Sequence, residues 1–262
     1  MAEFDPRAYW EQRLERSTGL EGVGYMGLGQ AFNSWTYRVR RHVFLHFVRS
    51  HRIDLSGKAV LDIGSGTGFY LRCWKALGAE SITGSDITDT VVERLRAAMP
   101  STTLFRMDIT EGDARIVGMF DAVSCMDVLF HVVDEARFEQ ALVNMRHALK
   151  PGGVLIISDI FAHRRIRNEK HFVNRSLERY EAALQRAGLR IIDRRPMFHL
   201  LNRPMDSGSP TLWRWWMLVE RVCRTSYALG GIMAILVYPL ELLFVRIRRE
   251  GVSTEIMVCT AV

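Results

Sequence analysis

The sequence predicts an α/β fold, a mostly parallel seven-stranded sheet with helices on both faces, preceded by a helical lid and interrupted by a helical insertion before the last strand. Two observations lead there. Between Lys58 and Ser158, short β-branched apolar runs alternate with segments of helical spacing, the pattern of parallel strands joined by crossover helices. The first of those runs, Val60-Leu61-Asp62-Ile63, ends in Gly64-Ser65-Gly66-Thr67-Gly68, a strand-to-helix turn at the edge where open α/β sheets bind ligands.

Taken in order, Asp5-Pro6 places an N-cap before a proline and predicts a helix over Pro6 to Arg16. Thr18 to Gln30 carries five glycines and reads as a mobile lid loop, since no apolar strand precedes it. Asn33 or Ser34 would cap the next helix, Trp35 to about Arg52, whose Val39, Val43, Phe44, Phe47 and Val48 keep helical spacing. Strands follow at Ala59–Ile63, Ser81–Asp86, Thr103–Met107, Ala122–Met126 and Val154–Ser158, with helices at 70–77, 90–99 and 135–149 between them. Lys150-Pro151-Gly152-Gly153 reads as a stop between helix and fifth strand. Ser176 caps a helix that Gly188 ends, and Leu189 to Leu200 pairs with Ser253 to Ala261 as an antiparallel hairpin. The expected organisation is a lid at 1–54, a sheet domain at 55–205 plus 251–262, and an insertion at 206–250.

Composition excludes several classes. With 262 residues, 48% hydrophobic and 24% charged, the chain can bury a full core. Glu3 and Asp5, with no apolar run, argue against a secretory signal, and cysteines 73, 125, 223 and 259 lack the paired spacing of a disulfide framework or zinc site. A cytoplasmic, reducing location is the expectation. The net charge of +6, with arginines clustered at 164, 165, 167, 246, 248 and 249, implies general attraction to anions. No motif of sequence-specific nucleic-acid recognition accompanies it.

Spacing separates the two cofactor classes that use a glycine turn after the first strand. A dinucleotide turn has its third small residue three positions after the second glycine; here Phe69 stands there and Gly68 comes one earlier. The acid-x-Gly-x-Gly-x-Gly turn resembles the first motif of the class I S-adenosylmethionine-dependent methyltransferases, a Rossmann-like family, and the similarity extends over about residues 55–200. It implies S-adenosylmethionine as methyl donor, with S-adenosylhomocysteine as product. It places Asp62, Gly64, Ser65, Gly66 and Gly68 at the turn, and Asp86 with Ile87 on the ribose hydroxyls through a bidentate carboxylate. Asp108 with Ile109 would receive the adenine amine, and Met126, in the fourth-strand motif running to His131, would sit by the methionine part.

What is missing narrows the acceptor. After Ser124-Cys125-Met126-Asp127 there is no Asn/Asp-Pro-Pro-aromatic turn, no Pro-Cys nucleophile and no paired-glutamate loop, and Ser158-Asp159-Ile160 offers no metal-binding acid pair. The expected reaction is metal-independent transfer to an oxygen, hydroxyl or carboxylate, of a hydrophobic small molecule. Candidate bases are His131, His163 and His171, and the acceptor pocket is expected from Tyr9, Trp10, Tyr25, Tyr37, Phe161, Phe172 and the aromatic insertion after Pro210. That insertion, with Trp213, Trp215 and Trp216 followed by a charge-free run to Leu240, leaves three uses open: a cap over the site, a homodimer contact, or peripheral membrane contact. A lipid or quinone methyltransferase at the membrane, and a non-catalytic cofactor-binding protein, are the rival readings.

Overall fold

The computed structural model describes residues 4–16, 19–164, 166 and 170–262; Glu3, Thr18, Arg165 and Arg167 lie outside the described residues. Helices α1 (Pro6–Arg16), α2 (Leu20–Val23) and α3 (Gly29–Ser50) precede the alternating core. That core runs β1 (Ala59–Ile63), α4 (Phe69–Leu77), β2 (Ser81–Asp86), α5 (Asp89–Ala98), β3 (Thr103–Arg106), β4 (Phe120–Met126), α6 (Glu135–Ala148), β5 (Leu149–Asp159), α7 (Leu177–Arg186) and β6 (Leu189–Pro196). Helices α8 (Pro210–Thr225) and α9 (Tyr227–Ile247) then separate β6 from β7 (Glu255–Ala261). The strands form one seven-stranded sheet in the order β3-β2-β1-β4-β5-β7-β6. β7 alone runs antiparallel, between β5 and β6. The strand order reverses around β1, so the ligand crevice lies outside the carboxyl ends of β1 and β4.

Local chemistry sets the boundaries. The side chains of Thr88, Asp134, Ser176, Ser209 and Ser226 cap α5, α6, α7, α8 and α9 by accepting a first-turn N–H. α4 buries Tyr70, Leu71, Cys73 and Trp74 on one face. One apolar cluster joins α3, α4, α8 and α9 to one side of the sheet through Phe44, Trp74, Trp216 and Val258. The other joins α6 and α7 to the opposite side through Phe138, Leu142 and Tyr180. The four cysteines are free thiols buried in these layers.

Three boundaries differ from expectation. The glycine-rich stretch is not a plain loop: it holds α2, and α3 begins at Gly29, not after a cap at Asn33 or Ser34. The reason is Asn33, fully buried inside α3, whose amide oxygen accepts from Tyr25 N (2.9 Å) while its Nδ2 donates to the carbonyls of Tyr25 and Gly29 (2.9 Å each). One side chain thus pins the preceding turn onto the helix. The Lys150-Pro151-Gly152-Gly153 stretch is not a stop but the start of β5, with Gly152 left-handed (φ 74°) and a register shift opposite Phe120 and Ala122. A bulge absorbs what would otherwise break the strand.

The insertion is a layer behind α3, not a cap. Trp216 is buried against Tyr25 and Phe32, and the indole N–H groups of Trp215 and Trp213 donate to the carbonyls of Leu200 and Ser207 (2.9 Å each). α9 lies along α3 with Gly230, Gly231, Ala234, Val237, Glu241 and Val245 buried. A methyl at Gly231 would sit 2.8 Å from Ala31 Cβ, so the small residues permit the close approach. By length and composition α9 could cross a bilayer. Its packing is that of a globular helix: β7 returns directly to the sheet, and Glu241 is fully buried, accepting the backbone N–H groups of His199 (2.7 Å), Leu200 (2.6 Å) and Leu201 (3.2 Å).

Candidate active site

A cavity of about 560 Å³ opens over the carboxyl ends of β1, β2 and β4, within the size range of small-molecule sites. Its floor at one end is the glycine turn. Gly64 N and Ser65 N both donate to the Ser85 carbonyl at 2.9 Å, tying the turn to β2. Gly64 has φ 73°, and a Cβ there would meet Val128 Cγ2 at 2.3 Å, so only glycine lets the backbone pass under the β4 loop. Beneath lies a buried relay: Trp74 Nε1 donates to Ser124 Oγ (2.9 Å), which donates to Asp62 Oδ1 (2.6 Å). Burial pushes the Asp62 carboxyl up to about 7, and its Oδ2 has no hydrogen-bond partner.

Asp86 and Asp108 face the cavity. Asp86 Oδ2 accepts Gly66 N (3.0 Å), and Oδ1 accepts Thr88 N (3.1 Å) and Thr88 Oγ1 (2.8 Å). A carboxylate offers about four acceptor sites, so three are taken and one remains. A bidentate grip on two ribose hydroxyls is therefore more than this carboxylate can supply without Thr88 turning away. Asp108 Oδ1 is held by Thr110 N (2.9 Å) and Thr110 Oγ1 (2.7 Å), leaving Oδ2 to Arg137 (3.1 Å) and a further donor. Burial raises the pKa of Asp86, against the N–H and O–H donors that lower it.

Much of the remaining lining of the cavity is apolar and aromatic. Tyr25, Tyr37, Phe130, Phe172, Phe198 and Leu201 line it, with Trp10 at the rim. Burial lifts both tyrosines to about 12, so they are neutral phenols. The Tyr25 hydroxyl bonds to Asn202 and accepts Arg203 N (3.2 Å). His131 also lines the cavity. Burial lowers its pKa to about 4, and its Nδ1 lies 2.8 Å from the His171 carbonyl. A carbonyl only accepts, so Nδ1 carries the proton of this neutral ring and Nε2 holds the lone pair.

Of the residues expected from sequence, the cavity gathers Gly64, Ser65, Gly66, Asp86, Ile87, Asp108, Ile109, Met126, Trp10, Tyr25, Tyr37, Phe172, His131 and His171. Five lie elsewhere. Asp62 is beneath the turn, occupied by Ser124. Gly68 is the left-handed N-cap of α4, facing Leu95. Tyr9 stacks on His171 from outside (5.3 Å between ring centres). Phe161 is fully buried against Tyr180. His163 binds the buried carboxylate of Asp206 through its backbone N and Nδ1 (2.7 Å), which makes it a tie between loops.

Sequence reasoning missed a partly buried ion pair on the cavity wall. Arg40 of α3 bonds to Asp127, whose Oδ1 also accepts from Ser158 Oγ (2.9 Å). Asp127 holds φ 59°, a left-handed conformation costly for a non-glycine residue. Burial works against the Arg40 charge, yet Asp127 and the phenols of Tyr70 and Tyr37 raise its pKa. An acid directly after a fourth strand was a readable signal; its partner, distant in sequence, was not. Among the described residues, no group of three or more His, Cys, Asp or Glu could hold a metal ion.

A family model described as a methyltransferase domain matches residues 60–153. The chain carries a class I S-adenosylmethionine-dependent methyltransferase domain. Similar proteins include the ubiquinone biosynthesis O-methyltransferase of Xanthomonas oryzae pv. oryzae, 36% identical over 115 residues, covering 42% of this chain and 46% of the relative. That of Neisseria meningitidis serogroup C is 32% identical over 124 residues, covering 44% and 49%. The matched stretch spans about half the length of these curated relatives. Among solved structures, the methyltransferase domain resembles in fold the magnesium protoporphyrin IX methyltransferase of Synechocystis PCC 6803 (TM-score 0.59, 14% identity, all of both chains). It also resembles a putative sarcosine dimethylglycine methyltransferase of Galdieria sulphuraria (TM-score 0.54, 15% identity, 85% of each).

Proposed function

We propose that the protein transfers a methyl group from S-adenosylmethionine to an oxygen of a hydrophobic small molecule. The observation that carries this reading is one cavity lined both by a glycine turn with two strand-end carboxylates and by aromatic side chains. The donor-side residues suit the cofactor: Asp86 and Asp108 each keep acceptor capacity for hydroxyl or amine donors, and Gly64, Ser65 and Gly66 line the cavity beside them. When bound there, the cofactor supplies an electrophilic methyl carbon. The protein's part is alignment and proton removal.

For a hydroxyl acceptor, attack through oxygen releases the hydroxyl proton. His131 is the base we assign, because its neutral ring lines the cavity and its tautomer leaves Nε2 to accept. Its weak basicity suits a phenol or enol, whose proton is acidic, better than an aliphatic alcohol. The phenols of Tyr25 and Tyr37 orient the acceptor as hydrogen-bonding groups, and the aromatic wall excludes water. The relatives named for ubiquinone biosynthesis act in O-methylation by their names, which supports oxygen as the acceptor atom. Incubation with deuteromethyl-labelled cofactor and a panel of alkylated phenols and carboxylic acids, read by mass spectrometry, tests the proposal. A labelled methyl ether or ester is expected. Label on nitrogen or carbon only, or calorimetry showing no S-adenosylhomocysteine binding, overturns it.

A further inference from the structure

The insertion leaves exposed what a globular protein normally covers. Along α9 the outward positions Leu229, Ile232, Leu236, Leu240 and Leu243 are all large, apolar and about half exposed or more, Leu236 reaching 71%. They form a face about 21 Å long at 1.5 Å per residue with no charged residue outside the buried Glu241. Met217 and Leu218 of α8 extend it. Single exposed leucines are ordinary; a continuous apolar face rimmed by polar residues marks a contact surface.

The rim is cationic. Exposed arginines at 214, 221 and 224 on α8, and at 246, 248 and 249 at the end of α9, surround the face. Between residues 210 and 250 there are six arginines against three glutamates, and of those glutamates only Glu250 is exposed. A second copy of the chain docked here would bring arginine to arginine with little acid to answer it. An anionic bilayer supplies both an apolar interior for the leucines and phosphates for the arginines. We infer that α8 and α9 form an in-plane docking face for anionic phospholipid membranes.

The N-terminal end of α9 packs on the start of α3, close in the chain to the cavity rim. Met26, 62% exposed, lines the cavity, and three residues on, Gly29 packs under the Tyr227 ring, where a Cβ would come within 2.6 Å. On the function proposed above, docking through α9 holds the protein at a lipid phase in which an apolar acceptor dissolves. The docking itself does not depend on that function.

Flotation of the full chain with vesicles tests the inference, comparing phosphatidylcholine alone with a 70:30 mixture of phosphatidylcholine and phosphatidylglycerol. Binding to the anionic vesicles, weakened by salt, is expected. The double variant Leu236→Glu/Leu240→Glu should lose at least tenfold in partition. Arg248→Gln/Arg249→Gln should lose about 25-fold on anionic vesicles, about fivefold per arginine. Both variants change exposed side chains and should bind S-adenosylhomocysteine in calorimetry as the parent does. That control separates a failed docking face from a failed cofactor site. Absence of flotation at low salt, or a dimer in sedimentation that Leu236→Glu/Leu240→Glu splits while vesicles are ignored, overturns the proposal.

Discussion

Glu241 is the sharpest test of how the insertion supports the site. Its carboxylate is the partner of three backbone N–H groups at 199–201, in the segment that carries the cavity residues Phe198 and Leu201. In Glu241→Ala those donors lose their acceptor inside the protein, at about 1–3 kcal/mol for each buried unsatisfied group. Partial relaxation keeps the sum near 3–5 kcal/mol, which lowers Tm by about 6–20 °C for a domain of this size. Glu241→Gln keeps one acceptor oxygen and turns an NH2 toward a donor, so it should cost less than alanine but more than a surface change. A pH signature identifies the mechanism. Burial pushes this carboxyl up to about 7 from an ordinary 4.5, so the folded protein holds its proton more tightly than the unfolded chain. Its contribution is then full below pH 4.5 and lost as pH rises to about 7, by about 3 kcal/mol at 1.36 kcal/mol per pH unit. Urea melts at pH 5 and pH 8 should show the Glu241→Gln deficit shrinking at the higher pH. Acceptor affinity should fall in both variants while S-adenosylhomocysteine affinity holds. A Glu241→Ala protein within 1 kcal/mol of the parent at both pH values would refute the reasoning.

Asp86→Asn should weaken S-adenosylhomocysteine binding about tenfold or more by calorimetry, because a charged acceptor is worth about 1.5–3 kcal/mol. Gly64→Ala combines a positive φ with a 2.3 Å approach to Val128, so it should cost more than 2 kcal/mol in a denaturant melt and abolish cofactor binding. With His131 held near 4 by burial, the ring stays neutral through the acid range. The acid limb of kcat/KM should therefore fall below pH 5 and not near 6.5, and His131→Gln should lower kcat more than KM. His163→Ala should leave kcat unchanged and lower Tm only, since its partner is Asp206 and not the cavity.

The sheet and the donor end were legible because their signals are local. A buried apolar strand, a glycine turn and an acid at a strand end occupy a few consecutive residues each. Asp62 was legible as a motif residue but not as a buried one, since its position under the turn is set by Ser124 and Trp74, far along the chain. The acceptor end depended on such distant pairings throughout. Arg40 meets Asp127 only after α3 crosses the sheet, and the start of α3 turned on Asn33 reaching back to Tyr25. Helical spacing said that these residues lay on a helix; it did not say which loop the helix would fix.

The insertion shows the same limit in a sharper form. A charge-free run beside three tryptophans fits a cap, a dimer seam or a membrane contact equally well, because hydrophobicity names no partner. What decides is which side of the run is already satisfied. The tryptophans, the small residues and Glu241 all turn inward to α3 and the 197–203 segment, so the inner half of α9 is committed to the fold and the insertion never reaches the cavity. The leucines and isoleucines that remain outside are therefore surplus to folding. Their exposure as one face near exposed arginines points to a second apolar medium.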